Sequence, residues 1–206
     1  NDRTWSQNYT ACPAPEYWHH NKLMSPLDST LITFGGYGFY RYRSEFKRYN
    51  PKSLSWTSID KRDIIYPRYL SSAGILNNES FLIFGGHGTK SGRQVADMTR
   101  FYDLYKVNFQ GFKIEKLWDK ESLFSTPQVP VESMVINSNQ DSFYTLLFNN
   151  GQFDGTLKLA RFGINDASKT IFPDSIPFKF HSAKSKTNFF LNQNKSELYS
   201  LLTFEN

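Results

Sequence analysis

The chain has 206 residues, of which 39% are hydrophobic and 17% aromatic, with 19 Phe and 12 Tyr, and its mean hydropathy is -0.54. That is enough chain for one domain with a sizeable core, the aromatics suit an all-β fold, and no stretch approaches the length of a membrane span. The net charge of +5 comes from scattered basic residues rather than a run, and a single cysteine, Cys12, excludes an internal disulfide and a cysteine-rich zinc site.

Neither a Met nor a charged-then-apolar leader opens the chain, so it reads as a mature form or an excised piece. Asn1-Asp2-Arg3-Thr4-Trp5 echoes the stretch from Asn50 to Trp56 and reads as the final strand, over 1–8, of a unit otherwise missing. Residues 15–24 start with Pro15, carry Tyr17 and end in Leu23-Met24, and read as a strand a. A turn over 25–30 leads to strand b, Ile32-Thr33-Phe34, which stops at Gly35-Gly36. Two adjacent glycines end a strand because they reach backbone angles that a Cβ resists. After a polar loop, the stretch from Glu45 to Ile59 alternates apolar residues on both sides of Asn50-Pro51-Lys52-Ser53, which predicts a hairpin of strands c and d.

The same order then recurs. Residues 67–76 align with 15–24 when Pro67 is laid on Pro15, and Leu82-Ile83-Phe84-Gly85-Gly86 repeats the b phrase 50 residues on. The stretch from Asp103 to Leu117 matches the first c–d hairpin without gaps, with Phe46/Leu104, Tyr49/Val107, Trp56/Ile114 and Ile59/Leu117 in register. A third unit keeps strand b from Ser142 to Phe148, with Asn149-Asn150 in the place of the glycines, where Asn tolerates positive φ. Its strand c reads as 156–162 and its strand d as 169–172. The last unit, over 186–206, offers strands a and b only. A fixed period of this kind marks one supersecondary unit used several times. The blades span about 15–60, 67–118 and 130–172, in one domain over 1–206.

Gly35, Gly36, Tyr49 and Trp56, with Gly85 and Gly86 in the second copy, resemble the kelch motif. The resemblance implies an all-β propeller of four-stranded antiparallel blades, with these residues as structural repeat positions and Tyr49 and Trp56 filling the space between blades. Three full blades with parts of one or two more imply a partial propeller, because closed ones use about four to eight. Exposed blade faces and edges would then drive association with a second copy.

In such meanders the b–c and d–a loops share one face, and here they are long. They present Tyr37, Phe39, Tyr40, Arg41, Tyr42 and Arg43, then Lys61, Arg62 and Arg68, then His87, Lys90 and Arg93. Tyr and Arg supply contact area and forked hydrogen bonds, so these are the candidate binding residues, for a protein surface or a glycan. Glu45, Asp60, Asp63 and Asp97 nearby weigh against nucleic acid. His19-His20 on strand a would point to opposite faces, and His87 and His181 fall in other units, so no convergent metal set emerges. The Phe-Gly-Gly-Tyr-Gly phrase further resembles galactose-oxidase-related proteins. That resemblance implies export to the periplasm, the cell envelope or the medium. It also sets the alternative to a binding module, a carbohydrate-active enzyme that is either an oxidase or a sugar isomerase or mutarotase. Copper is expected only under that alternative, with Cys12 as the sole available thiol. No catalytic or metal-ligating residue is assigned and no cofactor is expected for the binding module.

Overall fold

A computed structural model describes residues 17–94, 97–181, 185–192 and 196–203. Among these residues every regular element is a strand, and no helix is long and apolar enough to cross a membrane. The strand expected over 1–8, like Cys12, lies outside the described residues.

The first sheet runs β1 (Asn21–Met24), β2 (Leu31–Phe34), β5 (Glu45–Asn50) and β6 (Ser55–Asp60), and a small ribbon of β3 (Tyr37–Gly38) and β4 (Arg41–Tyr42) fills its b–c loop. In the second sheet strand a is split into β7 (Arg68–Tyr69) and β8 (Ser72–Ile75), followed by β9 (Ser80–Gly88), β10 (Thr99–Asn108) and β11 (Ile114–Asp119). The third has a split strand a, β12 (Val129–Pro130) and β13 (Val135–Ile136), then β14 (Ser142–Phe148), β15 (Asp154–Gly163) and β16 (Lys169–Lys179). A hairpin of β17 (Lys186–Asn192) and β18 (Glu197–Thr203) follows. The a–b–c–d meander therefore forms three times, all antiparallel. In the third unit strand d runs seven residues past its expected end at Phe172, to Lys179.

Period-two alternation decides how the sheets pack. All of β9 is buried. Phe81 and Ile83 join Ile32, Phe34, Phe46 and Val107 in a core shared with the first sheet. Leu82 and Phe84 point the other way, to Leu104, Trp118, Phe143 and Phe162, in a core shared with the third. Phe84 sits 4.8 Å from Phe162, 5.2 Å from Phe143 and 5.7 Å from Trp118, centroid to centroid, at tilted or edge-on angles that aromatic quadrupoles favour. Beyond β14, Leu146 and Phe148 meet Leu157, Phe178 and Phe189 in a third core.

The motif pair behaves differently in its two copies. Val107 and Ile114 pack in the core between the first two sheets, as expected of those positions. Tyr49 and Trp56 lie on the opposite face of the first sheet from Phe46 and Phe34, half-buried against each other with centroids 5.2 Å apart. At the other end the outer face of the last hairpin carries Phe190, Tyr199 and Leu201, all exposed.

Strand a corrects the alignment by one residue. Leu23 pairs with Ile32 and Gly74 with Leu82, so Leu23 matches Gly74 and not Ile75. Six residues separate the last ladder partners Met24 and Leu31 in the first unit, and five separate Ile75 and Phe81 in the second, one residue fewer. The corrected register makes His19 the counterpart of Leu70, and both hold a left-handed backbone at φ 52. That shared kink splits strand a in two. A bulge between Leu104 and Tyr105 similarly places Trp118, rather than Leu117, opposite Leu104.

The innermost strands are tied together across sheets. Ala73 N donates to Glu132 O at 3.1 Å, and Met134 N donates to Ala73 O at 3.0 Å. Asn21, buried on β1, donates from Nδ2 to Ser71 O at 2.6 Å and Glu132 O at 2.7 Å, while its Oδ1 accepts from Ser71 Oγ at 2.7 Å. Gly74 makes this approach feasible, since a Cβ there would come 2.5 Å from Met134 Cγ and 2.7 Å from Met134 O. Gly74→Ala must push two backbones apart, and a loss of about 1–3 kcal/mol is expected, read by urea unfolding.

Candidate functional site

The double glycines place the next residue of each unit. Gly35 and Gly36 have φ 69 and 103, Gly85 and Gly86 have φ 62 and 119. A Cβ on Gly35 would lie 2.7 Å from Arg68 O, and one on Gly86 2.9 Å from Tyr69 O. Only glycine allows that approach, and the chain then delivers Tyr37 and His87 to the same side of the molecule. In the third unit neither Asn149 nor Asn150 takes a left-handed backbone, which corrects the expected reason for the Asn pair. Asn149 instead caps the turn by accepting from Gly151 N at 2.9 Å. Asn150 points into the same space as Tyr37 and His87.

Tyr37, His87 and Gly151 thus stand at matching places of three units, with Asn150 beside Gly151, around one cleft of about 380 Å³. Trp18 and Tyr69, equivalent positions of strand a once the register is corrected, form another part of the wall. Tyr42 completes it from β4. The rings form one connected set: Trp18–Tyr37 6.2 Å, Tyr37–Tyr42 5.1 Å, Tyr42–Tyr69 5.5 Å and Tyr69–His87 5.5 Å between centroids. The Tyr37 hydroxyl donates to Gln94 Oε1 at 2.7 Å, and that of Tyr42 to Met98 Sδ at 3.3 Å.

The polar end of the cleft has a fixed hydrogen-bond polarity. Arg100 Nε and Nη2 donate to Asn150 Oδ1 at 3.2 and 3.0 Å. A guanidinium cannot accept, so the Asn150 amide must turn its oxygen to Arg100 and its Nδ2 to His87. His87 Nδ1, 2.7 Å from Asn150 Nδ2, is then the acceptor, and the imidazole keeps its proton on Nε2. Burial pushes the His87 pKa down to about 4, with the Arg100 charge acting in the same direction. The imidazole is neutral at pH 7, and its one lone pair is already taken by Asn150. It is a hydrogen-bond donor at this position rather than a proton acceptor. Burial also raises the phenols, Tyr42 to about 12 with help from Tyr69 and Tyr37, and Tyr69 and Tyr37 upward. Among the described residues Arg100 is the single charge in the lining, and no carboxylate stands with it there. Among the described residues it makes no ion pair.

The charge decides between ligand classes. Clustered aromatic rings attract cations by about 0.5–2 kcal/mol. A cation about 4 Å from Arg100 would be repelled by about 4 kcal/mol at an effective dielectric of 20. Repulsion wins, so the cleft suits a neutral or anionic ligand.

The remaining candidate residues are scattered. Phe39 and Tyr40 are exposed at the tip of the β3–β4 ribbon, 69% and 78%, in left-handed conformations. Arg41 and Arg93 are exposed and bridge the two loops through their backbones. Arg43 lies over the Tyr17 ring at 4.6 Å and next to Glu45. Arg62 is exposed and paired with Asp60 at 2.5 Å. Lys61 is half-buried beside it and Lys90 is exposed near the Tyr66 ring. Arg68 is a correction: its side chain is 0% exposed, clamped by Asp103, and unable to touch a ligand. Of the twelve candidate binding residues, Tyr37, Tyr42 and His87 line the cleft. Trp18, Tyr69, Gln94, Met98, Arg100 and Asn150 were missed; the position just beyond each double glycine was the one available signal.

His19 and His20 take different roles, as opposite-facing neighbours should. His19 Nδ1 meets Glu132 at 2.8 Å, and His20 Nδ1 meets Tyr17 O at 2.6 Å, with burial lowering the His20 pKa. Among the described residues no group of three or more His, Cys, Asp or Glu is placed to hold a metal ion. No protein-family model matches the chain, and no curated protein matches it either.

Proposed function

We propose that the chain is a kelch-like propeller segment serving as a binding module, and that its ligand is a glycan seated in the aromatic cleft. The carrying observation is that Tyr37, His87 and Gly151, at matching positions of three units, line one cleft walled by rings, with Asn150 beside Gly151. A pyranose has one face of C–H groups and a rim of hydroxyls. Tilted rings such as Trp18, Tyr37 and Tyr69 suit the first. The fixed donors of His87 Nε2 and Arg100, with the amide of Gln94, suit the second. Sites of this kind join mostly apolar walls to a few placed polar groups, and the cleft lies within the usual size range. A neutral His87 whose lone pair is occupied gives no general base, which favours binding over an isomerase or mutarotase.

Trp18 is the residue to test, because it is 45% exposed and its loss should leave the cores intact. Trp18→Ala is expected to weaken glycan binding about tenfold or more while changing the melting temperature little. A glycan array followed by titration of the strongest hit checks this. Retention of full affinity by Trp18→Ala would remove the cleft from consideration.

A further inference from the structure

Arg100 is anomalous in a cleft built to hold a sugar ring. It is half-buried beside Tyr69, His87 and Asn150, and among the described residues it contributes the lining's only charge and faces no carboxylate there. Its Nε and Nη2 are spent on Asn150 Oδ1, while Nη1 makes no hydrogen bond among the described residues. The Tyr phenols and His87 around it are neutral, so nothing in the wall offsets the charge. Among the described residues the other arginines that are buried or half-buried are matched: the buried Arg68 by Asp103, and the half-buried Arg43 and Arg48 by Glu45 and Asp28. A cation left unmatched between low-polarity walls attracts an anion more strongly than one in open water.

We propose that the cleft recognises a carboxylated sugar, with the carboxylate on Arg100 and the ring against Tyr37, Tyr69 and Trp18. This rests on the glycan reading above and adds the charge of the ligand to it. The planar fork of Arg100 suits a carboxylate, and Asn150 holds the fork still by bonding two of its nitrogens. His87 Nε2–H lies in the same wall as a second donor.

The test is an array holding neutral, carboxylated and sulfated oligosaccharides, followed by titration of oligogalacturonate and its methyl ester. The acid is expected to bind at least tenfold more tightly than the ester, and 0.5 M NaCl to erase that preference. Arg100→Gln should abolish the acid-over-ester preference, and Arg100→Lys should restore part of it, since the charge returns without the fork. Circular dichroism melts of both variants establish that they fold, and the comparison of Lys with Gln stands even when both lose stability. Equal binding of acid and ester, or preference for sulfated over carboxylated sugars, overturns the proposal while leaving the glycan reading in place. Failure to bind any sugar on the array overturns both.

Discussion

Asp103→Ala is expected to lower the melting temperature by roughly 6–20 °C, the equivalent of about 3–5 kcal/mol in a domain of this size. The Arg68 side chain is 0% exposed and that of Asp103 3%. Two parallel bonds join them, Nη1 to Oδ1 at 2.5 Å and Nη2 to Oδ2 at 3.0 Å. Arg68 also donates to Tyr66 O at 2.9 Å and Gly85 O at 3.0 Å, and its guanidinium lies 4.2 Å from the Phe101 ring centre. Removing the carboxylate leaves a buried cation that cannot give up its proton and cannot reach water. Its backbone partners, one of them the first glycine of the second b strand, then carry the charge alone. The double variant Arg68→Met/Asp103→Leu removes both charges and keeps similar volume, so most of the loss should be recovered. Thermal melts of the single and double variants decide the matter. A single variant melting within 2 °C of the parent, or a double variant no better than the single, would count against a charge-based penalty.

Acid should destabilise the fold through His87. Its pKa is about 4 in the folded chain, against an ordinary value near 6.5 in the unfolded one. Between those values the unfolded chain binds a proton that the folded chain refuses. The stabilisation is complete above about pH 6.5 and is lost as pH falls towards 4, reaching about 3 kcal/mol. His20, also lowered by burial, acts in the same direction, so the parent curve alone does not isolate His87. The comparison with His87→Gln does, because glutamine takes up no proton there. Urea unfolding at pH 7, 5.5 and 4.5 should show the parent losing about 2 kcal/mol more than the variant by pH 4.5. Parallel curves would refute a buried neutral imidazole at this position.

The meanders were legible because their signals are local. Phe81 to Phe84 alternates between two cores, and period two in one short run is enough to write the strand. Each c–d hairpin lies within a few residues of its own turn. Strand a was less legible, because its register depends on the length of the a–b connection, and Pro15 over Pro67 aligned a flanking residue rather than the ladder. The cleft was legible only in part. Tyr37 and His87 follow the glycines directly and Tyr42 lies six residues on, whereas Arg100 on β10 and Asn150 in the turn after β14 are 50 residues apart and meet only after the sheets pack. Arg68 deceived for a related reason. A basic residue in a long loop reads as a contact, and its neutralising partner is 35 positions away.

Asn21 also bears on how the molecule comes apart. The main sheet pairings join neighbouring strands through short connections, which would let each meander form and melt on its own, like beads with pairwise contacts. The Asn21 amide reaches across 50 residues to Ser71 and 111 to Glu132, linking the first sheet to the third as well as to the second. Together with His19, whose Nδ1 meets Glu132 at 2.8 Å, that side chain adds a next-nearest-neighbour term to an otherwise linear array. Opening the first sheet thereby exposes buried polar groups in both of the others, and the three meanders share one unfolding transition rather than three.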